Sequence, residues 1–320
     1  MIISDRFLVT GFSGFVSKHF LDFLESEKKV VHIVGIDLFP PSFNIKNFNY
    51  VKCDFLKVDL LNKTELEKVI SEFKPNYVLH LASFSSVALS WKKPVESFTN
   101  NTNIFLNLIE TIHSLNLKCR ILSVGSSEEY GNVNESELPL KETHALKPNS
   151  PYAVARVSQE MLSKVYADSY GLDIVMTRSF NHIGAYQKDI FVVSSFAKQL
   201  THLKNNASEI KEISTGDTSV IRDFVDVRDV VKAYYLLFKK GKAGEVYNIC
   251  SGKGISLNDV IQIMASILDM SVIQTVDNQL VRPNDIRKII GSNEKIKLDT
   301  GWNNAISIEQ SLNDILEYYK

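Results

Sequence analysis

Thr10-Gly11-Phe12-Ser13-Gly14-Phe15-Val16-Ser17 is the stretch that decides the fold. An apolar run, Phe7–Thr10, leads into it, and Phe15–Leu24 follows with apolar residues at helical spacing. A glycine turn between a strand and a helix aims backbone N–H groups and the positive end of a helix dipole at one point, where an anion is stabilised. Gly11 permits the tight turn, and Gly14 permits close approach of a pyrophosphate. Phe12, Ser13, Phe15 and Val16 complete the expected cofactor contact. A third glycine is usual in such loops where Ser17 stands; serine is small enough to keep the helix close to its strand. The plain alternative is a strand–turn–helix corner with no ligand.

The next apolar run, Val30–Ile36, closes on Asp37, about twenty residues beyond the loop. A carboxylate there accepts from adenosine ribose hydroxyls and repels a 2′-phosphate, so NAD(H) is favoured, with NADP(H) as the alternative. Asp59 and the adjacent Leu60 fall where this fold contacts adenine, and Asp54 is the competing acid.

Working outward, short apolar runs keep alternating with helical patterns. Leu61–Phe73, Val95–Ile112, Tyr152–Tyr170 and Val230–Phe238 read as helices; Tyr77–Leu81, Arg120–Val124, Ile174–Thr177 and Val246–Ile249 read as strands. This rhythm predicts an α/β fold, a doubly wound parallel sheet with a smaller C-terminal lobe. The expected division is residues 1–179 plus 223–252 for the dinucleotide-binding domain, and 180–222 plus 253–320 for the lobe. The chain is 44% hydrophobic and 23% charged with net charge −1, which gives no reason to expect nucleic acid or an anionic membrane as partner. Three well-separated cysteines without a Cys-x-x-Cys pair predict reduced thiols, with no zinc site and no other metal. With no apolar span long enough for a bilayer, the expected location is cytoplasmic.

Tyr152 and Arg156 lie one helical turn apart, on one face. A cation beside a phenol favours the phenolate, a usable device for proton transfer. Ser126 follows the strand Arg120–Val124, at the end of the sheet where ligands bind in such folds. Its hydroxyl is placed to hold a substrate oxygen.

Taken together, TGFSGFVS (10–17), HLAS (80–83), SSEEYG (126–131), SPYAVAR (150–156), FNHIG (180–184), RDFVDVRD (222–229) and RPNDI (282–286) resemble the extended short-chain dehydrogenase/reductase family along the whole chain. The resemblance implies a nucleotide-diphosphate-sugar enzyme in which Ser126, Tyr152 and Arg156 take the places of Ser/Thr, Tyr and Lys. Arginine in the lysine position keeps the charge but is a planar fork. The resemblance also implies cofactor contacts at Leu81, Ala82, Ser83 and Asn101. It implies substrate contacts at Ser85, Ser127, Asn181, Arg222, Arg282 and Asp285, with Lys198 a weaker phosphate ligand. His182 is expected to be a packed loop histidine.

Three reactions share this framework: reduction of a 4-ketosugar, 4,6-dehydration with Glu128 as the extra acid/base, and 4-epimerisation. The motifs look most like GDP-4-keto-6-deoxy-mannose reductases, with GDP-mannose 4,6-dehydratases second. A binding protein that has lost catalysis is the non-enzyme alternative. The family pattern implies a homodimer built on the Val95–Ile112 and Tyr152–Tyr170 helices.

Overall fold

The computed structural model describes residues 5–206, 211–281 and 286–320. Its strands are β1 (Asp5–Thr10), β2 (Val31–Asp37), β3 (Val51–Lys57), β4 (Tyr77–His80), β5 (Arg120–Ser126), β6 (Asp173–Ser179), β7 (Asn181–Ile183), β8 (Glu212–Thr215), β9 (Ile221–Asp226), β10 (Val246–Ile249), β11 (Gly254–Ser256) and β12 (Ile273–Val276). Its α-helices are α1 (Phe15–Ser26), α2 (Lys63–Phe73), α3 (Val87–Lys92), α4 (Pro94–Phe98), α5 (Ile104–Ser114), α6 (Pro151–Tyr170), α7 (Val192–Asn205), α8 (Val227–Lys240), α9 (Leu257–Ile267), α10 (Glu294–Thr300) and α11 (Ile308–Tyr319).

Seven strands form one sheet in the order β10-β6-β5-β4-β1-β2-β3, parallel at every pairing. The apolar strands bury both faces, as a parallel sheet requires. On one face α1 and α8 cover Phe7, Val9, Ile33 and Leu122; on the other, α2, α5 and α6 cover Leu8, Val34, Val78 and Ile121. The winding reverses at β1, which pairs with β2 on one side and β4 on the other. The glycine loop lies at the C-terminal end of β1, the crevice where ligands enter such sheets.

The strand β3 carries no clear apolar signal in sequence. It pairs only with β2, so half of its side chains meet solvent, and VKCDFLK alternates accordingly. The expected helix Val95–Ile112 is broken into α4, a π-helical turn at Thr99–Asn103, and α5. The cause is Asn101, fully buried at the centre of the turn. Its Nδ2 donates to Ser97 O at 2.6 Å and to Phe84 O at 3.4 Å, and its Oδ1 accepts from Phe84 N at 3.2 Å. A widened turn makes room for that side chain.

The smaller lobe holds the three-stranded sheet β11-β9-β7 and the pair β12-β8, packed on α7, α9 and α11. Residues 222 and 223, the expected boundary, both lie inside β9, which pairs within the small sheet; α8 is the first element back on the large one. Ile296 of α10 and Trp302 also pack against the large sheet's core, where Trp302 Nε1 donates to Asp229 O at 2.9 Å. All three cysteines are free thiols.

Candidate active site

Gly14 stands immediately before α1, which has no side-chain cap and no acidic residue in its first turn. Its first amides are therefore not satisfied by the protein's own side chains, which suits a phosphate. Gly11 has φ +66°, and a Cβ there would lie 2.6 Å from Ala82 N. Glycine is thus demanded by the approach of the loop to the end of β4. Leu81 N donates to Thr10 O at 3.2 Å, and Ala82 N donates to Thr10 Oγ1 at the same distance. Ser17, in the third glycine's place, is buried and donates from Oγ to Gly11 O at 3.3 Å, so its hydroxyl braces the turn. Phe12 is fully buried against Phe43 and Phe55, which leaves only its backbone for a cofactor. Phe15 and Val16 open α1.

Asp37 closes β2 beside this loop, where its Oδ2 accepts from Ser13 N at 3.0 Å and its Oδ1 from Leu38 N at 2.7 Å. Asp59 is exposed just past β3, above the buried Leu60. Asp54 instead meets His32 Nε2 at 2.6 Å on the sheet edge, a partner that explains it without a ligand. Ser83 is half-buried and Ser85 exposed in the loop leading to α3. Asn101, the other expected cofactor contact here, shapes that loop through its side-chain bonds to Phe84 and Ser97.

The residues expected to do chemistry sit where β5 meets α6. Ser126 ends β5 and caps a 3₁₀ turn, Ser127–Tyr130, its Oγ accepting from Glu128 N at 3.2 Å. An oxygen that accepts keeps its hydroxyl proton for a substrate. Ser127 is buried and Glu128 half-buried in the same turn. The helix α6 packs on β5 and on this turn. Ser150 caps it by accepting from Ala153 N at 3.1 Å, and Pro151 stands at its first position, so Tyr152 is fixed in the opening turn. Tyr152 and Arg156 are 6% and 4% exposed, with the guanidinium 5.4 Å from the centroid of the tyrosine ring.

Three further residues shape this site. His182 comes to Arg156 from another element: burial, with Arg156's charge adding to it, pushes its imidazole down to about 4. Its ring also lies 6.0 Å from that of Phe15. Gln159, one turn past Arg156, accepts from Arg156 Nη1 at 2.7 Å. Beneath Ser126, the fully buried Glu129 accepts from Ser126 N at 2.7 Å. Burial first, and then the charge of Glu160, hold its carboxyl well above the usual range. Burial also works to raise Glu160, but Arg178, which donates to it through Nε and Nη2 at 2.8 Å each, overrides this and holds it low. Glu129 is therefore the member of the pair that takes up a proton more readily.

In the lobe, Asn181 on β7 is in register with Phe224 of β9, two residues beyond the buried Arg222. The pairing brings the two expected phosphate ligands onto adjacent strands. Lys198 is exposed and bound to Asp189 at 2.6 Å, a surface ion pair. Arg282 and Asp285 lie outside the described residues. Among the described residues no cluster of three or more His, Cys, Asp or Glu is placed to hold a metal, and no helix is long and apolar enough to cross a membrane.

The sheet order, the uncapped helix behind a glycine loop and the Ser126–Tyr152–Arg156 corner define a nicotinamide-dinucleotide-dependent enzyme of the extended short-chain dehydrogenase/reductase class. Within that class the chain belongs to the GDP-mannose 4,6 dehydratase family, whose model matches residues 8–315. It is 32% identical to the GDP-6-deoxy-D-mannose reductase of Pseudomonas aeruginosa over 314 residues, 98% of this chain and 97% of that protein. The structure of RMD from Pseudomonas aeruginosa complexed with NADPH superposes with a TM-score of 0.84 at 31% identity, covering 99% of both chains. The UDP-glucose 4-epimerase of Thermotoga maritima, solved with UDP-glucose, superposes with a TM-score of 0.86 at 30% identity, covering 98% of both.

Proposed function

We propose that this enzyme reduces the C4 keto group of a GDP-linked 4-keto-6-deoxy sugar. The observation that carries this reading is end-to-end similarity to a GDP-6-deoxy-D-mannose reductase in a chain that keeps Ser126, Tyr152 and a cation together. Tyr152 gives its phenolic proton to the sugar oxygen. Ser126 donates to that same oxygen, and the charge of Arg156 stabilises the phenolate left behind. A dihydronicotinamide held at the glycine loop would supply the hydride. Asn181 and Arg222, with Arg282, hold the diphosphate, and Asp285 meets a ribose hydroxyl of the nucleotide.

Glu128 supports a second reading, 4,6-dehydration of GDP-mannose, because its backbone N–H is bonded to Ser126 Oγ and its carboxyl is carried on the same turn. The epimerase likeness keeps 4-epimerisation as a third. Incubation with GDP-mannose and, separately, with GDP-4-keto-6-deoxy-mannose plus NADH or NADPH, read by mass spectrometry, separates them. Gain of two mass units on the ketosugar is expected; loss of water from GDP-mannose overturns the reductase reading.

Asp37 supports a preference for NAD(H), against the NADPH bound in the Pseudomonas structure. The ratio of kcat/KM for NADH and NADPH decides it. A homodimer is supported by an exposed apolar stripe on α6, Val154, Met161 and Val165, continued by Val95 and Phe98 of α4. Such a stripe is unusual on a monomer, and a monomeric mass by light scattering at micromolar concentration would refute it. Three free thiols fit a reducing, cytoplasmic location.

A further inference from the structure

We infer that Gln159 is the positioning residue that makes an arginine work in the lysine place. This rests on the proposed role of Arg156 beside Tyr152. Arg156 is 4% exposed, and its one hydrogen bond among the described residues runs from Nη1 to Gln159 Oε1 at 2.7 Å. Its Nε is buried without a partner. Gln159 is itself 1% exposed, and its Nε2 donates to Ser123 Oγ at 2.9 Å and to Val124 O at 3.1 Å. Ser123 is also bonded at 3.0 Å to Ser163 Oγ, one turn further along α6.

Gln159 therefore takes both of its amide protons to β5, the strand that delivers Ser126, and turns its remaining acceptor to Arg156. An arginine has a longer stem than a lysine and a planar head whose donors act only in fixed directions. Left unheld, that head could rotate away from the Tyr152 ring. Held by Gln159, it has one donor satisfied and its plane fixed. The same amide ties the arginine's helix to the serine's strand, so Ser126, Tyr152 and Arg156 share one rigid frame. Arg156 and Gln159 thus act as a pair that replaces a lone ammonium.

The test is a double-mutant cycle of Gln159→Met and Arg156→Lys in the full-length enzyme, with Gln159→Glu alongside. Methionine keeps the volume and removes the acceptor; glutamate keeps an acceptor for Arg156. Gln159→Met is expected to lower kcat about tenfold or more, the usual cost of losing a hydrogen bond to a charged group. The KM for the ketosugar should stay within about threefold, since no substrate contact is removed. Gln159→Glu keeps the hold on Arg156 but loses the amide's two donations to β5, so it should recover kcat only in part. In the Arg156→Lys background Gln159→Met should cost less than about threefold, because there is no fork left to hold. Equal losses in both backgrounds, or a Gln159→Met enzyme with wild-type kcat, would overturn the inference. Urea midpoints identify a variant that merely fails to fold, and Gln159→Glu against Arg156→Lys then carries the test. Proton transfer by Tyr152 is common to reduction, dehydration and epimerisation. An enzyme that dehydrates GDP-mannose therefore overturns the reductase reading while the cycle is still read on that activity.

Discussion

Exchanging each of the two loop glycines for alanine separates what the fold needs from what the cofactor needs. At Gly11 alanine would be held at φ +66°, and its Cβ would lie 2.6 Å from Ala82 N, 2.7 Å from Ala82 Cα and 2.8 Å from the Leu81 carbonyl carbon. The left-handed backbone costs about 1–2 kcal/mol. Backbone overlap that must be relieved by moving the end of β4 adds about 1–3 kcal/mol. Gly11→Ala should therefore lose about 2–5 kcal/mol, seen as a lower urea midpoint with an unchanged slope. At Gly14 the backbone is ordinary, φ −78°, and a Cβ would meet only Gly11 O, at 3.2 Å. Gly14→Ala should thus fold within about 1 kcal/mol of wild type, as a compatible glycine site does. It should still bind the dinucleotide more than tenfold more weakly, because the methyl group occupies the approach of the pyrophosphate to the α1 amides. The assay is titration of NADH and NADPH fluorescence, paired with urea unfolding of each variant. A Gly14→Ala protein with wild-type cofactor affinity would refute the placement of the phosphates at the start of α1.

Tyr152→Phe should lower turnover by at least about a hundredfold, the scale of general acid catalysis, with cofactor affinity retained; turnover within threefold of wild type would remove Tyr152 from the chemistry. Glu129→Gln should preserve activity and stability, since an amide oxygen still accepts from Ser126 N and an uncharged side chain suits a place where burial and Glu160 disfavour a carboxylate, whereas Glu129→Leu leaves a buried N–H unpaired and should cost about 1–3 kcal/mol by urea unfolding; equal effects of the two variants would refute the role of Glu129 as acceptor for Ser126 N. His80 is fully buried and its imidazole is pushed down to about 3, by burial first and then by the charge of Arg156. The unfolded chain takes up that proton below about pH 6.5 and the native one does not, so stability present above pH 6.5 is lost toward pH 3, at about 1.4 kcal/mol per pH unit. Part of this loss is offset by Asp223, which burial pushes up to about 6. His80→Gln should therefore be less steeply destabilised than wild type between pH 6 and 4, and equal slopes in urea unfolding would contradict the buried neutral histidine.

The large sheet was legible because both of its faces are buried: its strands carry continuous apolar runs, such as Phe7–Val9 and Ile174–Met176, between helical patterns. β3 was not, because an edge strand that half faces water is written with charges. The break before α5 was hidden because Asn101 gives no local signal; its partners at Phe84 come from a loop that only the fold brings near. In the candidate site, Ser126, Tyr152 and Arg156 could be found from their motifs. His182 and Glu129 could not, since a histidine or glutamate acquires its meaning here from Arg156 and Glu160, which lie on a different element. Gln159 sits three residues from Arg156 on a helix, and that spacing was the one available clue. Lys198 follows its composition to the surface, where it pairs with Asp189.

The central claim, that the chain delivers a hydride to C4 of a GDP-linked 4-ketosugar, is tested most directly by turnover of GDP-4-keto-6-deoxy-mannose with nicotinamide cofactor deuterated at the transferred position. The account predicts a GDP-6-deoxyhexose carrying one deuterium, located at C4 by nuclear magnetic resonance, and no such product from Tyr152→Phe at matched enzyme concentration. A product without deuterium, or an intact ketosugar alongside water loss from GDP-mannose, would contradict it.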